Sequence, residues 1–115
     1  MANAGAWGED AALAYLSERG LTLVERNYRC RLGELDLIMT QSRVLVIVEV
    51  RIRHHPDFGS GFESVTYAKQ QRLRRATSHF LMRQPAFAQW PCRFDVVYVS
   101  KRNYLSRIDW LPHAF

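Results

Sequence analysis

The stretch GELDLIMTQSRVLVIVEVRIR, Gly33 to Arg53, has the period of two β-strands joined by a short polar turn. In the first strand Glu34, Asp36 and Ile38 share one face, and Leu35, Leu37 and Met39 share the other. In the second, Val44, Val46, Val48, Val50 and Ile52 form one apolar face. The opposite face runs Leu45, Ile47, Glu49, Arg51, Arg53, apolar at first and charged from its middle on. A two-residue loop at Gln41 and Ser42 would pair Thr40 with Arg43, placing Ile47 opposite Asp36 and Glu49 opposite Glu34. Asp36 and Glu49 are then diagonal neighbours, with Glu34 beside them and Arg51 further along. Like charges facing each other destabilise a sheet, so this group calls for a cation. The turn holds no Asn-Gly or Asp-Gly pair to fix the register.

On the N-terminal side, residues 5–20 read as a helix capped at its end by Gly20. Its apolar stripe contains Ala12, Leu13 and Leu16, and Glu9 falls on the same stripe. Glu9 is either a first-turn carboxylate favouring the helix dipole at the rim of the core, or an inward-facing acid. Leu21 to Arg31 follows as a strand closing in the basic cluster RNYRCR.

On the C-terminal side, HHPDFGSG (54–61) is a loop beside the charged end of the hairpin. Adjacent His54 and His55 point apart in extended chain, make a poor metal pair and read as solvated. Phe62 to Gln84 reads as a helix stopped by Pro85. Its inward stripe is Val65, Lys69, Leu73, Ala76 and Phe80, with Ala68 and Arg72 at the margins. Lys69, in the middle of an apolar line, must either snorkel outward or meet a buried anion. Arg74 and Arg75 lie off the stripe, solvated and available to phosphates. Residues 85–92 read as a surface connection. Arg93 to Ser100 is a strand that returns after a helix and is expected parallel to an earlier strand. Tyr104 to Trp110 reads as a final edge strand, and the chain has no internal repeat.

The chain of 115 residues suits a single domain, residues 1–115. Its 48% hydrophobic and 23% charged content is that of a soluble globular protein. The formal charge is +5 from 16 basic residues, all arginine except Lys69 and Lys101, which suits a polyanionic partner. Cys30 and Cys92 lack metal or redox spacing and read as reduced thiols. With no signal-peptide pattern and no apolar run near the ~18 residues of a membrane span, the expectation is a cytoplasmic protein without membrane association.

If both helices pack on the charged face of the hairpin, Glu9, Glu34, Asp36 and Glu49 converge there with Arg51 and Lys69. A hard divalent cation, Mg²⁺ or Mn²⁺, is the simplest neutraliser of such carboxylates, and would serve phosphoryl-transfer chemistry. Nearby arginines (Arg53, Arg72, Arg74 and Arg75) would hold a nucleic-acid backbone.

The order αβββαβ, with an acid in the second strand and Glu-x-Arg in the third, resembles the PD-(D/E)XK nucleases. The spaced motifs GxxGExxAxxYL (Gly5 to Leu16), Arg26-Asn27, GELDLI (Gly33 to Ile38), VEVR (Val48 to Arg51), Lys69, RFDVV (Arg93 to Val97) and the Ala-Phe terminus are more closely similar to the YraN-like family, a bacterial uncharacterised protein family similar to archaeal Holliday-junction resolvases. This resemblance covers nearly the whole chain. It implies a restriction-endonuclease-like α/β fold, with a mixed sheet of four or five strands flanked by two helices. It further implies that Glu9, Asp36 and Glu49 are the metal-site carboxylates, with the Val50 carbonyl as a further ligand and Glu34 as a secondary acid. Arg51 stands where the nuclease motif has lysine. Arginine can stabilise developing charge but does not act as a base, so Lys69 becomes the candidate for a displaced lysine.

The leading expectation is a Mg²⁺-dependent endonuclease acting on DNA, branched DNA in particular. In it Glu9, Asp36, Glu49, Arg51 and Lys69 form the catalytic set, and a homodimer would match a two-fold junction. A nucleic-acid-binding module without hydrolysis, motivated by Arg51, and an interaction protein whose acidic pocket is structural are the alternatives.

Overall fold

A computed structural model describes residues 6–53, 64–102 and 105–115. Its elements are α1 (Ala6–Glu18), β1 (Thr22–Cys30), β2 (Gly33–Gln41), β3 (Val44–Arg53), α2 (Tyr67–Arg83), a 3-10 turn at Pro85–Phe87, β4 (Cys92–Arg102) and β5 (Leu105–Leu111). The strands form one mixed sheet in the order β1-β2-β3-β4-β5. β3 and β4 are parallel, joined by the crossover through α2, and the other pairs are antiparallel. This is the αβββαβ core expected of a restriction-endonuclease-like α/β fold, with β5 added at the edge. The glycine-rich 54–61 stretch, with His54 and His55, lies outside the described residues. Among the described residues no helix is long and apolar enough to cross a membrane.

The two helices lie on opposite faces of the sheet, not together on one. Ala12 and Leu16 of α1 pack with Leu37, Met39, Val46, Val48, Val97 and Val99. Leu73, Ala76 and Phe80 of α2 pack with Ile38, Leu45, Ile47, Phe94, Val96 and Tyr98. The reason is visible in β3, which is apolar on both faces along its first half, so each face needs a cover.

The hairpin register also differs from expectation. Ser42 (φ 49°) and Arg43 (φ 65°) both adopt the left-handed conformation, so they, not Gln41 and Ser42, form the two-residue turn. Such a turn matches the twist of the strands it joins, which offsets the cost of two positive-φ residues. Gln41 then pairs with Val44 and Ile38 with Ile47. Continued, this register sets Asp36 directly opposite Glu49 rather than on its diagonal.

Helix α2 begins at Tyr67, later than the expected Phe62. Thr66 is extended (φ −63°, ψ 156°) and its hydroxyl accepts the Lys69 N–H at 3.2 Å, the geometry of an N-cap. Its first turns pass over the start of β2. A Cβ placed on Gly33 would lie 3.3 Å from the Arg72 carbonyl oxygen, and Gly33 has φ +152°. Gly33→Ala is expected to cost roughly 1–3 kcal/mol of stability. The check is thermal unfolding, in which an unchanged midpoint would mean that α2 retreats freely.

Asp95 is the most enclosed charge in β4, with no solvent exposure. Its carboxylate accepts from Arg93 Nε (3.1 Å) and from the second Arg93 nitrogen at 3.2 Å. It also accepts from Trp110 Nε1 at 2.9 Å and the His113 backbone N–H at 3.1 Å. One side chain thus ties β4, β5 and the C-terminal tail together. The tail continues along the sheet through Ala114 N–H to the Phe94 carbonyl (2.8 Å), and Phe115 stacks on Phe94.

Candidate functional site

Pairing is interrupted at Asp36 on both sides, by one missing rung toward β1 and by the end of the ladder toward β3. Against β1, Arg26 pairs with Leu37 and Tyr28 with Leu35, but the intervening Asn27 and Asp36 do not pair. Asn27 has φ 55°, a conformation its short polar side chain tolerates better than most. Against β3, the ladder stops at Leu37–Val48. Just beyond it, the Val50 N–H donates to Asp36 Oδ2 at 2.8 Å, so the carboxylate replaces a strand carbonyl as acceptor. The alternation of side chains breaks here as well. Leu35 packs in the α2-side cluster, whereas Leu37 packs on the α1 side.

This opening lets groups from both helices approach one end of the sheet. From the α2 side, Lys69 Nζ lies 3.5 Å from Glu49 Oε2, with Arg51 Nε 4.0 Å from the same oxygen. Of the two outcomes open to a lysine in an apolar stripe, Lys69 thus takes the meeting with a buried anion; Glu49 is only 8% exposed. From the α1 side, Glu9 is 7% exposed and 3.5 Å from Arg26, which also bonds Asp10 at 2.9 Å. Beside Glu9, Gly8 packs close against the tip of the Ile52 side chain. Glu9 is thus inward-facing and not a rim residue.

The electrostatics follow from crowding. Burial, and then the Glu49 carboxylate, push the Asp36 carboxyl up to about 7, against the Val50 N–H and the charge of Lys69. Burial and then Asp36 raise Glu9 above its ordinary value, opposed by Arg26 and by a hydrogen bond from Asn27. Two carboxylates crowded into one partly dry seam form a donor set suited to a hard divalent cation, which is commonly held by one or two carboxylates together with water and phosphate. Asp36 and Glu49 are the two residues of the seam that could hold such an ion. Glu9 is turned toward Arg26, and among the described residues no three His, Cys, Asp or Glu side chains stand close enough to hold a metal.

The other expected participants are distributed differently. Glu34 is exposed, pairs with Arg29 at 3.2 Å and stands outside the seam. Arg53 is engaged by Asp109 at 3.5 Å. Arg74 is exposed yet lies over the rings of Phe94 (4.8 Å) and Phe115 (5.5 Å). Arg72 and Arg75 are exposed on α2. Cys30 and Cys92 are free thiols.

Two supports escape a reading by strand period alone: Arg26, which bridges Glu9 and Asp10, and Asn27, whose backbone interrupts the ladder beside Asp36. An adjacent Arg-Asn in an otherwise ordinary strand is a faint signal for either role. Asp95 left a clearer one, an Arg-x-Asp pair on one face of an apolar strand.

A family model described as uncharacterised protein family UPF0102 matches residues 8–99. A UPF0102 protein of Legionella pneumophila (strain Philadelphia 1) is 46% identical over 111 residues, covering 96% of this chain and 92% of the relative. A UPF0102 protein of Nitrosococcus oceani is 47% identical over 111 residues, covering 96% and 90%. One from Nitrosomonas europaea is 46% identical over 118 residues, covering 100% and 98%.

Proposed function

This chain belongs to the uncharacterised protein family UPF0102, and from the seam at Asp36 we propose that it is a metal-dependent nuclease that hydrolyses phosphodiester bonds of DNA, branched DNA in particular. The observation that carries this reading is the pair of carboxylates Asp36 and Glu49, crowded where the sheet opens, with Lys69 Nζ 3.5 Å from Glu49. Asp36 and Glu49 would hold Mg²⁺ or Mn²⁺, with the Val50 carbonyl as a further donor. When bound, such an ion supplies Lewis acidity and lowers the pKa of a coordinated water.

The chain's own residues have distinct tasks. The Val50 N–H fixes one oxygen of Asp36 and so orients the carboxylate. Lys69 and Arg51 place two positive charges beside Glu49, where a phosphate held at the seam would build up negative charge. Arg51 cannot take a proton from water at neutral pH, so its part is charge stabilisation and orientation. Glu9 and Arg26 set the wall of the seam on the α1 side.

Cleavage of a labelled four-way junction and of a matched duplex, with Mg²⁺ or Mn²⁺, tests the reading. Wild type is expected to cut only with the metal, and Glu49→Ala is expected to lose roughly 10²–10³-fold in rate, the scale on which removal of one preorganised electrostatic contact acts. Metal-independent behaviour, or no divalent-cation binding in titration calorimetry, would remove it. A second reading, a nucleic-acid-binding module on the same scaffold, is favoured by Arg51 in the lysine position and by the turning of Glu9 toward Arg26. It predicts junction binding that is unchanged by chelator, with no cutting.

A further inference from the structure

Two shallow hollows adjoin on the surface beside the seam and share Arg72. One, of about 560 Å³, lies between the β1–β2 turn and α2, with Arg29, Arg31 and Arg72 in its wall. The other, of about 490 Å³, runs along the outer side of α2 past Tyr67, Arg72 and Arg75. Glu34 pairs with Arg29 at 3.2 Å, but Arg31, Arg72 and Arg75 have no carboxylate partner among the described residues. They are three exposed guanidinium groups along one continuous surface. At its far end Tyr67, the first residue of α2, is 75% exposed.

We propose that this surface is a track for a single-stranded polynucleotide, with phosphates on Arg31, Arg72 and Arg75 and a base stacked on Tyr67. The chemistry favours an unpaired strand over a duplex. A cationic groove attracts either, but an exposed aromatic ring among arginines gains from a base only when the base is unstacked. Arginine also suits bidentate contacts with phosphate. The track leads to the seam. Gly33 lines the same hollow as Arg72, and Asp36 lies three residues along the same strand, about 10 Å away at the rise of a strand. Lys69 precedes Arg72 by one helical turn. Delivery of a strand to Asp36 and Glu49 rests on the nuclease reading above; binding on the track does not.

The experiment is fluorescence anisotropy in chelator, with labelled oligothymidylate and a duplex of matched length, over a range of salt. Wild type is expected to bind the single strand more tightly. Tyr67→Ala is expected to weaken that binding by about 5- to 100-fold with its salt slope unchanged, since stacking releases no counterions. Arg72→Glu and Arg75→Glu are each expected to flatten the slope by about 0.7, the value per phosphate contact on a single strand. Tighter binding to the duplex, or wild-type affinity in Tyr67→Ala and both arginine variants, would overturn the track. Because no metal is present, the two readings fail separately. A wild type that binds but never cuts loses the nuclease and keeps the track. Undiminished cutting of a single strand by Arg72→Glu and Tyr67→Ala removes the track alone.

Discussion

Asp95→Ala is expected to destabilise the protein by about 3–5 kcal/mol, the scale for removing one partner of a buried ion pair. Three kinds of donor converge on this fully buried carboxylate: the Arg93 guanidinium, the Trp110 ring N–H and the His113 backbone N–H. Without it, a guanidinium whose side chain is only 13% exposed stays in the core with no counter-charge. A domain of this size has about 5–15 kcal/mol in hand, as ordinary domains do, so the loss is a large share of the total. Thermal unfolding followed by circular dichroism should show a fall of roughly 15–25 °C. Asp95→Asn keeps the shape and one acceptor oxygen but loses the charge, and is expected to fall between wild type and Asp95→Ala. A midpoint within a few degrees of wild type for Asp95→Ala would refute the view that this carboxylate holds β4, β5 and the tail together.

The second large effect has the opposite sign. Asp36→Asn is expected to stabilise the protein above neutral pH while removing a candidate metal donor. Burial and Glu49 raise Asp36 from 3.8 to about 7 in the folded protein. The folded chain therefore holds this proton more tightly than the unfolded one. Its stabilising contribution is complete below about pH 4, declines as pH rises toward 7 and is absent above that. Asparagine has no such dependence and its side-chain oxygen can still accept the Val50 N–H. The difference between variant and wild type should thus grow from pH 4 to 7 and then level off. Shared with Glu49, the gain at pH 8 is on the order of 1–3 kcal/mol. Urea unfolding across that range measures it. A constant difference would mean that the two carboxylates are not in conflict. Added Mg²⁺ should raise the stability of wild type at pH 8 and leave Asp36→Asn nearly unmoved.

The elements with strong period were legible in the sequence. The β2–β3 hairpin and the parallel return of β4 follow from which residue types share a face. The same pattern leaves Lys69 either to snorkel outward or to meet a buried anion, and the structure shows the second. What escaped has a physical reason in each case. The hairpin turn uses Ser42 and Arg43 at positive φ, a conformation neither residue advertises. Placement of α1 and α2 on opposite faces depends on how two apolar faces of β3 are shared out, which one strand cannot specify. The opening at Asp36 is a backbone event, set by Asn27 on one side and by the end of the β3 ladder on the other. Side-chain periodicity carries no trace of it. The role of Asp95 depends on donors from three separate segments, which meet only when the tail folds back.

The sheet order follows the order of the strands along the chain, and this bears on how the protein folds and comes apart. β1, β2 and β3 form a meander whose pairings close only short loops, whereas β4 must travel past all of α2 to reach β3. Loop closure makes local pairings quick and the parallel one slow. Asp36 and Glu49 both belong to the quick part, so these two carboxylates are expected to come together before Lys69 of α2 joins them. Asp95 belongs to the part that docks last. Its substitution is therefore expected to act mainly on the unfolding limb of a chevron plot, making the native state shorter-lived with little change in how fast it is reached.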